Sequence, residues 1–117
     1  MPNGTNPLDF VSSTPANGAT GVSLNPTIVL TFSLNVVDDA VWTNNRNQIK
    51  LFRNSTSVAI NVTRSADFEQ RRNIFVRPVN SLSPSTDYRL VILPGLTANN
   101  GSKLGETVTI RFRTKAG

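Results

Sequence analysis

The chain has no cysteine and no histidine, one tryptophan and one tyrosine, and only seven acidic residues against twelve basic ones. Without cysteine there is neither a disulfide nor a thiolate nucleophile, and redox chemistry is silent about the compartment. Without histidine, the side chain that most often moves protons near neutral pH is missing, and the usual soft metal ligands go with it. A serine or threonine nucleophile would need a lysine or carboxylate as its base. No S-x-x-K spacing exists, and Lys103 merely follows Ser102 in an expected loop. No apolar run approaches the ~20 residues of a membrane-spanning helix, so membrane insertion is not expected. The opening Pro2-Asn3-Gly4-Thr5-Asn6-Pro7 has neither the basic start nor the apolar stretch of a signal peptide.

What is present suits short strands joined by polar turns. Apolar residues make up 38% of the 117, with abundant Asn, Thr and Ser and few helix formers such as Ala and Glu. A chain of this length buries roughly 65% of its unfolded surface and folds as one domain without staples. Residues 1–7 read as a linker, leaving 8–115 as a single domain. The net charge is +5 and arginine far outnumbers lysine. That balance favours anionic polymers in general, but basic balance alone does not argue for specific nucleic-acid binding.

Period-two alternation marks the strands. Leu8–Ser13 opens the series with Phe10 and Val11 expected inward, and the Pro15, Asn17-Gly18 and Gly21 turns follow, with Val22 and Leu24 tucked back. In Thr27–Ser33, Ile28, Leu30 and Phe32 alternate with Val29 and Thr31. Asp38–Trp42 is expected as one aspartate-capped helical turn, after which Asn44-Asn45-Arg46-Asn47 returns to extended chain. Gln48–Arg53 (Ile49 and Leu51 inward) and Val58–Arg64 are expected to form a hairpin about Asn54–Ser57. Asn73–Pro78, Asp87–Leu93 and Glu106–Thr114 complete the set, the last with Val108, Ile110 and Phe112 inward. The long connection from Pro94 to Lys103 reads as polar. Seven or eight such strands with turns between them predict an all-β, two-sheet antiparallel Greek-key sandwich of immunoglobulin-like type.

One stretch organises the rest. In Leu82-Ser83-Pro84-Ser85-Thr86-Asp87-Tyr88 the proline fixes φ and the hydroxyl residues close the bend. Tyr88 then begins a strand, where its ring can be buried while its hydroxyl returns to the bend's backbone, a tyrosine corner. Leu82, Pro84, Thr86 and Tyr88 are therefore structural.

Candidate chemistry is sparse. Asp38, Asp39, Asn44 and Asn45 offer oxygen ligands to calcium without EF-hand spacing, and the simpler reading is a helix cap beside polar turns. Asp38/Asp39 and Asp67/Glu69 are the available carboxylate pairs, read as a cap and as solvated loop charges rather than glycosidase machinery. Four glycosylation sequons, at Asn3, Asn54, Asn61 and Asn100, are expected by chance in so Asn- and Thr-rich a chain. Trp42 is the foremost aromatic platform for a glycan, with Phe52, Phe68 and Phe75 scattered elsewhere; the plainer reading has Trp42 closing the open end of the sandwich. Lys50, Arg89, Arg111 and Arg113 fall on outward positions of strands that neighbour one another in such a sandwich, with Arg77 outward on the other sheet. They form a candidate face for an anionic polymer, against the reading that long side chains merely cover apolar neighbours.

Three segments together resemble the bacterial Ig-like domains of S-layer and other cell-surface proteins. They are Ser13–Val22 followed by Ile28–Ser33, then Ile74–Pro78 with the Leu82–Tyr88 corner, and finally Gly95-Leu96 through Asn100-Gly101 to Ile110–Thr114. The likeness spans residues 10 to 114 and thins between Asn35 and Arg72, where Asn35 stands in a proline's place. The corner is shared with fibronectin type III domains, and the opening segment decides between them. The resemblance implies a non-enzymatic module without cofactor, one unit of a longer exported chain, outside the cell or on its surface. It implies a spacer or presentation domain whose partners are neighbouring domains, with cell-wall or extracellular polysaccharide binding as the alternative. The family carries no functional motif to transfer.

Overall fold

The computed structural model describes residues 7–117, so the expected linker lies outside the described residues except for Pro7. Nine strands are present among the described residues: β1 (Phe10–Thr14), β2 (Ala19–Val22), β3 (Ile28–Phe32), β4 (Ile49–Arg53), β5 (Thr56–Val58), β6 (Ile60–Thr63), β7 (Asn73–Pro78), β8 (Asp87–Ile92) and β9 (Val108–Thr114). They form a four-stranded sheet in the order β1-β3-β7-β6 and a five-stranded sheet in the order β2-β9-β8-β4-β5. Neighbours are antiparallel except β2 and β9, which run parallel. This is the two-sheet, all-β sandwich that the alternation predicts.

The alternating residues fill the space between the sheets. Ile28, Leu30 and Phe32 of β3 and Ile74 and Val76 of β7 meet Ile49, Leu51, Leu90, Ile92, Ile110 and Phe112 of the facing sheet in one apolar cluster. Each such side chain contributes about 1.5–3 kcal/mol through its removal from water. The connection read as polar also feeds this core. Leu96, Ala98 and Leu104 are buried, held by a Thr97–Lys103 bridge and by the Leu104 N–H donating to Leu96 O at 2.8 Å.

The corner is held by three side-chain hydrogen bonds. The Tyr88 ring is 3% exposed and stacks on Phe112 at 5.7 Å, and its hydroxyl accepts the Ser83 N–H at 2.8 Å. Thr114 at the end of β9 is buried too. Its hydroxyl donates to Ser83 O at 2.6 Å and accepts the Thr86 N–H at 2.9 Å. The bend is thus stitched to two strands of one sheet.

The strands settle where the polypeptide enters and leaves. β1 begins beside the end of β3, where the Asp9 N–H donates to Ser33 Oγ at 2.8 Å. β9 ends beside the start of β8, where the Lys115 N–H donates to Val22 O and the Ser85 N–H to Lys115 O, both at 2.9 Å. These lie at opposite ends of the sandwich, separated by about the length of β9, roughly 20 Å for seven residues.

Three further expectations are corrected. Val11 points to solvent, 59% exposed, because the β1–β3 register slips between Phe10 and Ser12. A bulge of that kind flips the parity of every residue on one side of it. The residues Val58–Arg64 do not complete a single hairpin: β5 pairs with β4 through Thr56–Val58, then the chain changes layer at Ala59 and β6 pairs with β7. The capped turn is a longer helix, α1 (Asp39–Asn45), which runs through residues expected to be extended.

Candidate functional site

The outward face of β4, β8 and β9 is basic because register, as well as alternation, aligns its cations. Arg89 of β8 stands directly opposite Arg111 of β9, and on its other side opposite Phe52 of β4. Arg113, two residues on from Arg111, stands opposite Asp87 and pairs with it at 3.2 Å. The Arg89 guanidinium lies over the Phe52 ring, 4.9 Å from its centroid, with a long hydrogen bond of 3.4 Å to Asn54 O. Its Nε is shielded from solvent and has no hydrogen-bond partner. Arg111 is exposed, and among the described residues its guanidinium has neither a hydrogen bond nor an ion pair.

These groups open onto a cleft of about 390 Å³. One wall is the Gly18–Thr20 segment entering β2; the other carries Asn54 and Arg89, with Arg111 and Arg113 between. The wall is fixed to the sheet by the Gly18 N–H, which donates to Arg111 O at 2.6 Å, and by Asn17 Oδ1, which accepts the Arg111 N–H at 2.8 Å. Gly18 has φ +87° with open space where a Cβ would stand, so what glycine supplies here is the left-handed turn. Of the four residues expected on a common face, the cleft gathers Arg89, Arg111 and Arg113. Lys50 stands opposite Val91 and lines a different groove, of about 610 Å³, where β5 gives way to β6; that groove also holds Arg46 and Arg77.

A guanidinium lies over three of the four aromatic candidates. Trp42 on α1 is half-buried against the core, and the Arg64 guanidinium lies over its ring at 5.3 Å. Arg64 is itself held by an ion pair to Asp39 at 2.8 Å and by donation to Val37 O at 2.6 Å. Phe52 lies beneath Arg89 as described. Phe68, 73% exposed, has Arg71 over it at 4.2 Å, and Phe75 is half-buried within β7.

The oxygen-rich segment is already engaged by the protein. Asp38 caps α1, accepting the Ala40 N–H at 2.9 Å, and Asn44 Nδ2 donates to Gly95 O at 2.8 Å. Asp67 caps a 3₁₀ turn (Phe68–Gln70) through the Glu69 N–H, so this carboxylate also serves the backbone. Asn45 is the residue that sequence reasoning misread. It is 0% exposed; its Nδ2 donates to Val36 O and Thr97 O, both at 2.7 Å, and its Oδ1 accepts the Thr97 N–H at 2.9 Å. It pins α1, the irregular segment before it and the loop after β8 together at one end of the sandwich. The only trace in the sequence was an asparagine at the helical spacing that faces Val41 and Trp42.

None of the curated protein sequences matches the chain. Among solved structures, the chain is similar to the surface layer protein SbsC, domains 1–6, at 19% identity and a TM-score of 0.64, over 94% of this chain and 14% of that one. It is likewise similar to CopC from Methylosinus trichosporium OB3b, at 11% identity and 0.65, over 93% and 94%. A third likeness is to L,D-transpeptidase 3 from Mycobacterium tuberculosis, at 14% identity and 0.60, over 92% and 37%. At these identities the likeness is one of fold, and the chain spans a small part of the surface layer protein. The sequence itself matches the bacterial Ig-like domain profile over residues 4–114, and the chain belongs to that family.

Proposed function

We propose that the chain is a non-catalytic structural module, a spacer or presentation domain, of a multidomain bacterial protein exposed at the cell surface. The observation that carries this reading is the path of the chain, which enters beside Ser33 and leaves beside Ser85, at opposite ends of the sandwich. Units joined this way add their lengths instead of folding back on one another. A pull on the two ends also loads the terminal strands lengthwise. β1 must slide along β3, and β9 along β2 and β8, so several hydrogen bonds share the load at once. The surface setting is supported by family membership and by the similarity to an S-layer protein. No helix among the described residues is long and apolar enough to cross a membrane.

Small-angle scattering of two copies joined head to tail tests the proposal. The expected result is an elongated particle whose second lobe lies one domain length beyond the first. A compact particle with the two lobes side by side would defeat the spacer reading.

A further inference from the structure

We propose that the cleft between the Gly18–Thr20 wall and Arg89 is an anion-binding site, and that its ligand is an acidic polysaccharide engaged through repeated carboxylate or phosphate groups. The first ground is an electrostatic debt within the fold. Arg89 and Arg111 occupy directly opposed positions on adjacent strands, so two like charges leave one sheet face as cross-strand neighbours, which disfavours the sheet even with the Arg89 guanidinium leaning over Phe52. Among the described residues Asp87 is the one carboxylate lining the cleft, and it is engaged by Arg113. An oxyanion between Arg89 and Arg111 would relieve that repulsion. The second ground is preorganisation. Phe52 beneath and Asn54 beside it hold Arg89 in place, so little side-chain freedom remains to be lost when a ligand binds.

The residue type also matters. Guanidinium presents a planar fork that takes a carboxylate or phosphate through two parallel hydrogen bonds, where an ammonium offers a point charge. Along β9 the cationic side chains repeat every second residue, about 7 Å apart. Successive anionic groups on an extended polymer can therefore meet Arg111 and then compete with Asp87 for Arg113. The cleft, at about 390 Å³, falls within the ~300–1,000 Å³ typical of small-ligand sites, enough for a short stretch of chain rather than a wide surface. The anion site rests on the arginines alone; the choice of polysaccharide over nucleic acid rests on the surface setting proposed above.

The test is calorimetric titration of the 117-residue chain with oligogalacturonate, which carries carboxylates, and with poly(N-acetylglucosamine 1-phosphate), a polysaccharide whose sugars are joined through phosphodiesters. Neutral dextran and a single-stranded DNA oligonucleotide run alongside. Expected is binding to one or both acidic polymers, weakened between about 50 and about 200 mM salt, and none to dextran. Which polymer binds identifies the source of the anion. Arg89→Gln and Arg111→Gln should each lower affinity about tenfold or more, whereas Arg77→Gln on the opposite sheet should change it less than about twofold. In the unsubstituted protein, the Arg89 Nε–H resonance should shift on addition of polymer, a readout independent of how any variant folds. Failure of both polymers to bind, or an equal loss with Arg77→Gln, would overturn the site. DNA binding as tight as that of the acidic glycans would overturn the polysaccharide assignment. None of these outcomes bears on the elongated tandem arrangement, so the two proposals fail separately.

Discussion

The Tyr88 hydroxyl accepts a hydrogen bond from the backbone N–H of Ser83, five residues earlier, at 2.8 Å. One side chain thereby fixes the bend that carries the chain from one sheet to the other, while its ring stacks on Phe112 within the second sheet. Tyr88→Phe keeps the ring and its stacking and removes only the acceptor, leaving a half-buried N–H without a partner. The expected loss is about 1–2 kcal/mol, the desolvation penalty of an unmade backbone hydrogen bond. Urea unfolding followed by tryptophan fluorescence would measure it. A change below about 0.3 kcal/mol would mean that water or a relaxed bend satisfies Ser83 equally well.

Asn45 permits a sharper test, because its two halves do opposite things. The amide nitrogen donates to Val36 O and Thr97 O while the oxygen accepts from the Thr97 N–H. Asn45→Ala should cost about 3 kcal/mol by orphaning three backbone groups at a fully buried position. Asn45→Asp keeps the acceptor but turns a carboxylate toward two carbonyls, and at neutral pH it should cost more than the alanine. Burial and the facing carbonyls favour the neutral acid, so the new group's folded pKa lies above its unfolded one. Part of the lost stability should therefore return as pH falls through that folded pKa. Unfolding curves at pH 7 and pH 4.5 would show it. An aspartate variant that is more stable at pH 7 than at pH 4.5 would contradict the hydrogen-bond assignment.

The sheets were legible because their cue is local. Ile28, Leu30 and Phe32, or Ile110 and Phe112, declare an inward face by alternation, and the Pro84–Tyr88 spacing declares a bend. Alternation states which face a residue takes, but not which strand lies beside it. Val58, Ile60 and Val62 therefore read as one strand, although the chain leaves one sheet for the other at Ala59. It also counts residues strictly in twos, and the register slip after Phe10 breaks that count, so that Ser13 rather than Ser12 turns inward. The outward positions of Lys50, Arg89, Arg111 and Arg113 follow from parity. Their separation into a cleft with three arginines and a groove with Lys50 depends on the Gly18–Thr20 wall, a contact made across more than 90 residues. Asn45, in a run of polar residues, carries no local sign of burial, because burial of an asparagine is set by partners that are distant in the chain.

Arg64 joins Trp42, Asp39 and Val37, and the contributions are unequal. Asp39 is 91% exposed, so its ion pair is screened and Asp39→Asn should alter stability by less than about 0.5 kcal/mol. Arg64→Ala removes the cover from the Trp42 ring and the donor to Val37 O, and should cost about 1–2 kcal/mol. Because Trp42 is the sole tryptophan, its emission should move to the red in the alanine variant and stay unchanged in the Asp39 variant. Equal losses for the two substitutions would assign the effect to the ion pair instead.

The facing arginines make a prediction about the protein without any ligand. Two cations directly opposite on neighbouring strands repel by about 0.2–1 kcal/mol relative to a neutral pair. Arg111→Gln should therefore raise stability at low ionic strength, an unusual direction for a substitution in a sheet. Salt screens the repulsion over a Debye length of about 10 Å at 0.1 M and about 3 Å at 1 M, so the gain should shrink toward zero as salt is added. Arg113→Gln gives the contrast, since that arginine faces Asp87: its removal should bring no gain at any salt concentration. Thermal melts of the three proteins across a salt series decide the matter. If Arg111→Gln melts below the unsubstituted chain at low salt, the Arg89–Arg111 pair is not under strain, and the electrostatic reason for an anion to settle between them disappears.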